Sequence, residues 1–311
     1  MDMRAQGDIP GNAPGAVAET VQSWSMVAHE PTGGPARDMD ILFLHGMASG
    51  GWIWKPDFLA QFQQAGYRVW ALTLPGRAAG ATGLQPVRIS ISETGLSLDL
   101  PDFTVLGPLA GHEADRSLRD LAEDLGAAVD SIGRPVAVVA HSMGGAVAQY
   151  LMQMGRSPAA TVLACAVPPY GMWRASWQMA LTNPQLWTSM AGFSLFGLAG
   201  GDPDVLRKNM FPTGISDADF NAFAAELQDE SLAAMAQSLG FPPFAPMPGP
   251  RKDVLVVGAG QDRLVPVLDV HATAFYYGTT ARIVTQAGHA LMLDQGAEPF
   301  AQIVLDWLQG R

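Results

Sequence analysis

The segment Val136-Ala-Val-Val-Ala140 runs without a break into His141-Ser142-Met143-Gly144-Gly145 and then into the helix-spaced stretch Ala146–Met154. A five-residue apolar run is too short for a helix. It has the composition of a strand buried on both faces, as in a parallel sheet. A strand that becomes a helix across so few residues needs a very tight turn, and small residues must flank the residue at its apex. Here that residue is Ser142, with Ala140 two positions before it and Gly144 two positions after. Such a turn lifts the serine hydroxyl above the strand ends and aims the following backbone N–H groups and the helix N-terminus at the same point.

The rest of the chain repeats the same alternation. Met39–Leu44, Tyr67–Leu74, Thr161–Val167, Asp253–Val257 and Ala281–Thr285 read as further strands, and Val21–Ala28 as a first one. Helical spacing falls between them at Lys55–Ala65, Asp115–Ile132, Val267–Tyr277 and Glu298–Leu308. Strands alternating with helices predict an α/β fold with a mostly parallel sheet flanked by helices. Two segments break the rhythm. Residues 76–112 form an insertion in which Val87–Ser92 alternates like an edge hairpin. Residues 168–250 carry no strand signal and predict an inserted helical lid. The expected organisation is a flexible tail at 1–20, a core made of 21–167 and 251–311, and the lid at 168–250.

Composition excludes several classes of function. A net charge of −11, with no cluster of Lys and Arg, speaks against nucleic-acid binding. The single cysteine, Cys165, allows no intrachain disulfide and no cysteine-based metal site, and its apolar setting reads as a buried, inert thiol. No His, Asp and Glu set has metal-ligand spacing, and Gly258-x-Gly260 lacks the third glycine of a dinucleotide site. No cofactor is expected. The first residues lack the apolar core of a secretory signal and no stretch is long enough to span a membrane, so the expected location is cytoplasmic. The expected partner is a small apolar molecule.

A serine hydroxyl needs a base to become a nucleophile. His289 follows the last predicted strand in Thr285-Gln-Ala-Gly-His-Ala290, at the sheet edge where Ser142 lies. Asp262, in Gly258-Ala-Gly-Gln-Asp262, follows the strand before it and would orient the imidazole. Asp294 is the rival acid, but it comes soon after His289 and reads as a helix cap. His141 reads as packing beside the nucleophile, and His45 as a brace for the loop after the second strand. His29, His112 and His271 have no chemical partners nearby in sequence. The order Ser142, Asp262, His289, each after its own strand, completes the set.

With His45-Gly46-Met47 after an early strand and Leu74-Pro75-Gly76 after the next, the chain resembles the α/β-hydrolase fold serine hydrolases of the esterase/lipase-like superfamily over residues 21–308. Ala140 stands where the family pattern usually has glycine, and Leu72-Thr73-Leu74 lacks the acid often found before Pro-Gly. The resemblance implies a Ser142–His289–Asp262 triad and an oxyanion hole formed by the Met47 and Met143 backbone N–H groups. It also implies cleavage of a carboxylic ester, thioester or lactone through an acyl-enzyme. Some relatives place the acid after the strand at 161–167, but here that strand leads into Pro168-Pro169-Tyr170. Carbon–carbon bond hydrolases, lyases and cofactor-free perhydrolases share the scaffold, and a ligand-binding protein that has kept it is a reading of another class. Trp52 and Trp54 read either as helix packing or as a pocket wall. In 168–250, Met172, Trp173, Trp177, Met179, Trp187, Met190, Phe193 and Phe196 read either as the lid's own core or as the lining of an apolar pocket. Trp173, Trp177 and Phe193 are the expected lining residues.

Overall fold

A computed structural model of the chain describes residues 24–74 and 116–311, together with the backbone of two strands at 88–92 and 95–99. The 1–20 tail, the Pro75-Gly76 turn, His112 and the rest of the 76–112 insertion lie outside the described residues.

Nine strands are described: β1 (Ser25–His29), β2 (Asp40–Leu44), β3 (Val69–Thr73), β4 (Arg88–Ser92), β5 (Gly95–Asp99), β6 (Val136–His141), β7 (Ala160–Ala164), β8 (Val254–Ala259) and β9 (Arg282–Val284). Seven form one sheet in the order β1-β3-β2-β6-β7-β8-β9. β1 pairs antiparallel with β3, and every other pair in that sheet is parallel. The alternating segment near 87–92 does form a hairpin, β4 with β5. It makes a separate two-stranded sheet and adds no edge to the main one.

The helices are α1 (Pro56–Gln64), α2 (Leu118–Ile132), α3 (Met143–Gln153), α4 (Trp173–Thr182), α5 (Pro184–Phe196), α6 (Pro203–Met210), α7 (Asp217–Ala225), α8 (Leu232–Gln237), α9 (Val267–Tyr276) and α10 (Ala297–Gln309). Side chains alternate across each strand, so one strand feeds both faces of the sheet. Ile41 and Phe43 of β2 pack into the cluster holding Phe58 and Phe62 of α1 and Phe300 of α10. Leu42 and Leu44 pack on the other side with Leu118 and Leu121 of α2 and Val147 of α3. Both faces are therefore covered, which is why the central strands read as unbroken apolar runs. α2 starts with Ser117 and Asp120 in a reciprocal cap and stops at Gly133, whose φ of 69° is the left-handed conformation glycine holds most easily.

Between β7 and β8 the chain leaves the sheet and makes five α-helices, α4–α8. It leaves and returns at one point. Met172 N–H donates to Ser238 O (2.9 Å). Gly171 lies so close to Gly240 that a Cβ there would stand 2.3 Å from the Gly240 Cα. Among the described residues no helix is long and apolar enough to cross a membrane.

Candidate active site

β6 ends at His141, and α3 begins at Met143. Ser142 is the only residue between them, with φ 52° and ψ −121°. That φ is uncommon for a residue with a Cβ, and the surroundings hold it in place. Ser142 N–H donates to Ala164 O (3.0 Å), and Ser142 O accepts from Gly145 N–H (2.9 Å) and Val167 N–H (3.0 Å). Gly144 is required by the close approach of the loop after β2, because a Cβ there would stand 2.2 Å from His45 O. Buried Gln149 ties α3 to Val167 O (2.8 Å) and accepts from the Tyr277 hydroxyl (2.9 Å). Ser142 occupies the N-cap position of α3, yet its side chain makes no capping bond. The hydroxyl faces His289 instead, with Oγ 2.9 Å from Nε2.

His289 follows β9 on a loop, and its Nδ1 lies 2.8 Å from Asp262 Oδ2. Asp262, on the loop after β8, has its other oxygen fixed by the N–H groups of Leu264 (2.8 Å) and Val265 (2.9 Å). An aspartate bonded to the backbone N–H groups just after it is held in one orientation by its own loop. Asp262 and His289 are both buried. Loops after three separate strands thus bring Ser142, His289 and Asp262 into one continuous relay. In such a relay the imidazole can take a proton from the serine while the carboxylate fixes its tautomer.

The neighbouring histidines are neutral supports. His45 Nδ1–H donates to Gly46 O (2.7 Å), and its Nε2 accepts from Leu74 N–H (3.0 Å). Burial lowers its pKa to about 4, against the opposing pull of the Gly46 bond. His141 Nε2–H donates to His289 O (2.9 Å), with the two rings 4.9 Å apart. Burial, and then the nearby His289, push its pKa down to about 3.

Asp294 does not cap α10, whose N-cap is Gly296. It accepts from Gly288 N–H (2.8 Å), Gly296 N–H (2.7 Å) and the Thr213 hydroxyl (3.2 Å), so it steadies the loop that carries His289. Burial raises its pKa against the lowering effect of those bonds. Cys165 is fully buried, and burial followed by the Asp262 charge raises its thiol pKa well above the ordinary range. Cys165, Asp262 and His289 are the one group of potential metal ligands among the described residues, with donor atoms within 4.8 Å of one another. Two of these donors already bond each other, and the third is held as a thiol.

Two apolar chambers meet at Ser142. The larger, about 400 Å³, is lined by Met143, Met172, Met179, Trp187, Leu195 and Met235, among others. The smaller, about 210 Å³, is lined by Ile53, Phe193, Leu206, Met210, Phe220 and Phe223, among others. Met47, Ser142, Met190, Leu264 and His289 border both. Among the described residues no Lys or Arg lines either chamber, and Asp202 is the only carboxylate that does. Met47 and Met143 both border the larger chamber. Met143 is the first residue of α3, so its N–H has no partner within the helix.

Trp52, Trp54, Trp173 and Trp177 line neither chamber. Trp54 is buried in the core, 5.0 Å from Phe43 and edge-on to His141, and lines neither chamber. Trp52 also lines neither. It stands behind Phe223, with the Lys55 ammonium over its ring. Trp173 and Trp177 are exposed, Trp177 by 68%. On α4 and its cap, Met172, Ser176 and Met179 face the larger chamber. The two tryptophans sit one position further round each turn and so point to solvent. Phe193 does border the smaller chamber. Residues that sequence reasoning did not single out include Leu264, Met210 and Met235 in the lining, and Glu230. Glu230 is a buried carboxylate that accepts from Ala48 N–H.

Residues 41–303 match the model of the alpha/beta hydrolase family. No curated protein sequence matches the chain. Among solved structures, a bromoperoxidase from Bacillus anthracis is similar at a TM-score of 0.63 and 19% identity, over 92% of this chain and 95% of that one. An esterase from Exiguobacterium antarcticum is similar at a TM-score of 0.56 and 14% identity, over 92% and 95% of the two chains. An N-acyl homoserine lactonase complexed with N-butanoyl homoserine is similar at a TM-score of 0.57 and 17% identity, over 91% and 94%. At these identities the likeness is one of fold.

Proposed function

The chain belongs to the alpha/beta hydrolase family, and from that premise we propose that it is a serine hydrolase that cleaves carboxylic esters with apolar groups. The observation that carries this reading is the hydrogen-bonded run from Asp262 through His289 to Ser142, which opens on two apolar chambers. His289 Nε2 takes the hydroxyl proton as Ser142 Oγ attacks the carbonyl carbon. Asp262 stabilises the imidazolium that forms. The N–H groups of Met47 and Met143 hold the tetrahedral oxyanion, an interaction worth about 3 kcal/mol for each donor. His289 returns the proton to the leaving alcohol. It then deprotonates the water that releases the acid from Ser142.

The chambers support an uncharged substrate, since among the described residues no cation lines them to receive a carboxylate or phosphate. Helices α4–α8 act as a lid in this reading, because they carry Met179, Met190, Phe193 and Met235 over the serine. Thioesters and lactones need the same machinery, and the lactonase among the structural neighbours puts cyclic esters on the assay panel. The test is hydrolysis of p-nitrophenyl esters over a range of acyl lengths, with wild type beside Ser142→Ala. Turnover that disappears in the variant is the expected result. A folded wild type without turnover, whose Ser142 is also not labelled by a fluorophosphonate, overturns the proposal.

A further inference from the structure

The loop after β2 presents Met47 between Gly46 and Ala48. Ala48 has a φ of 61°, a left-handed conformation that is unfavourable for a residue with a Cβ and persists only where contacts impose it. One short stretch of the helical segment supplies those contacts. Ala48 N–H donates to Glu230 Oε2 at 3.0 Å, and Gln228 N–H donates to Ala48 O at 2.9 Å. Both backbone polar groups of Ala48 are thus held from the stretch 228–230, about 180 residues further along the chain.

Glu230 is itself firmly seated. It is 4% exposed, and its Oε1 accepts from Ser231 N–H (2.8 Å). The Ser231 hydroxyl in turn caps α8 by accepting from Ala234 N–H (3.1 Å). Glu230 also borders a small cleft with His45, Gly46, Met143 and Gly144, so it stands beneath the two backbone segments that carry the Met47 and Met143 N–H groups.

A carboxylate in so buried a position is costly unless its oxygens are used. Simple anchoring of α8 would need only the Ser231 cap. The second oxygen is spent on Ala48, whose left-handed backbone turns the chain directly after Met47. We propose that Glu230 is a positioning residue of the oxyanion hole, holding the Gly46–Met47–Ala48 turn so that the Met47 N–H meets the developing oxyanion. This rests on the serine-hydrolase reading above. It adds that the oxyanion hole is complete only while the helical segment is seated, because the acceptor comes from that segment.

The test uses the full chain, an ester that wild type turns over in a Ser142-dependent way, and three variants: Glu230→Met, Glu230→Gln and Glu230→Asp. Methionine keeps the bulk and removes the acceptor. Glutamine keeps an oxygen for Ala48 N–H and gives up the bond from Ser231 N–H. Aspartate keeps the charge but withdraws it by one methylene, and it serves if the methionine variant does not fold. The readouts are kcat, KM, melting temperature and affinity for a trifluoromethyl ketone, which adds to the serine as a tetrahedral oxyanion mimic.

For Glu230→Met and Glu230→Asp, kcat falls about ten- to hundredfold with KM within about twofold, somewhat less than the loss of a whole oxyanion donor. Ketone affinity falls by the same factor as kcat. Glu230→Gln stays within about threefold of wild type. A folded Glu230→Met or Glu230→Asp with kcat and ketone affinity within twofold of wild type overturns the proposal, as does a loss confined to KM. A Glu230→Gln as impaired as Glu230→Met also overturns it. A folded wild type with neither Ser142-dependent turnover nor fluorophosphonate labelling of Ser142 removes both readings together, whereas an active wild type with indifferent Glu230 variants removes this one alone.

Discussion

Lowering the pH from 8 to 5 destabilises the fold through the two histidines beneath the site. In the unfolded chain His45 and His141 titrate near 6.5, while in the fold burial holds them at about 4 and about 3. A group whose folded pKa is depressed contributes its full stability above the unfolded pKa and loses it as pH falls towards the folded one. In this window the unfolded chain takes up protons that the fold refuses. Between pH 6.5 and pH 5 each histidine therefore costs about 1.4 kcal/mol per pH unit, or about 2 kcal/mol. The two together cost about 4 kcal/mol. This figure depends little on the folded values, provided that both lie well below 5. Asp294, with its folded pKa raised, works in the opposite direction as pH falls further, since the fold holds its proton more tightly than the unfolded chain does. The assay is urea unfolding followed by tryptophan fluorescence at pH 8, 7, 6 and 5 at constant ionic strength. The expected result is a loss of about 4 kcal/mol from pH 8 to 5, falling to about half that in either His45→Gln or His141→Gln alone. A wild type that loses less than about 1 kcal/mol, or a double variant that keeps the full loss, refutes the reasoning.

Asp262→Asn keeps an oxygen for the Leu264 and Val265 N–H groups but frees the His289 tautomer. It is expected to lower kcat about ten-thousandfold with little change in melting temperature. Trp54→Ala removes a core ring packed on Phe43 and Phe58 and is expected to cost about 3–5 kcal/mol in urea unfolding. Trp177→Ala is expected to change stability by no more than about 0.5 kcal/mol and to leave the acyl-length profile unaltered, because the side chain faces solvent. Met179→Trp narrows the larger chamber and is expected to shift the preferred ester towards shorter chains, read as a changed kcat/KM ratio between butyrate and octanoate p-nitrophenyl esters.

The parts of the site that sit on contiguous sequence were the most legible. Val136–Ala140, Ser142 and Met143–Gln153 form a strand, a turn and a helix joined directly, so their pattern is local and the tight turn restricts its neighbours to small residues. Strand order places the ends of β6, β8 and β9 at one sheet edge, so the chain order of Ser142, Asp262 and His289 was informative about where each would be found. The lining of the chambers was harder to read. Trp173 and Trp177 are the largest apolar side chains on α4, and their size drew the expectation towards them. The helix period instead brings Met172, Ser176 and Met179 inward. Glu230 gave no local sign of its bond to Ala48, because only the tertiary fold brings the two together. Asp294 had the sequence position of a cap, but the turn at Gly288 captured its carboxylate first.

The crossing of Gly171 and Gly240 gives the chain a segmental character. The stretch from Met172 to Ser238 starts and finishes within one hydrogen bond, so the sheet sees it as a single closed excursion. Its length and content can vary without moving β7 or β8, since loop closure at the neck costs little more for a longer excursion. The chemistry at Ser142 and the shape of the chambers above it are thus written in separable stretches of sequence. A transplanted excursion would bring new walls to an old nucleophile, and it would inherit obligations: an acceptor placed where Glu230 now meets Ala48, and a donor where Thr213 now meets Asp294.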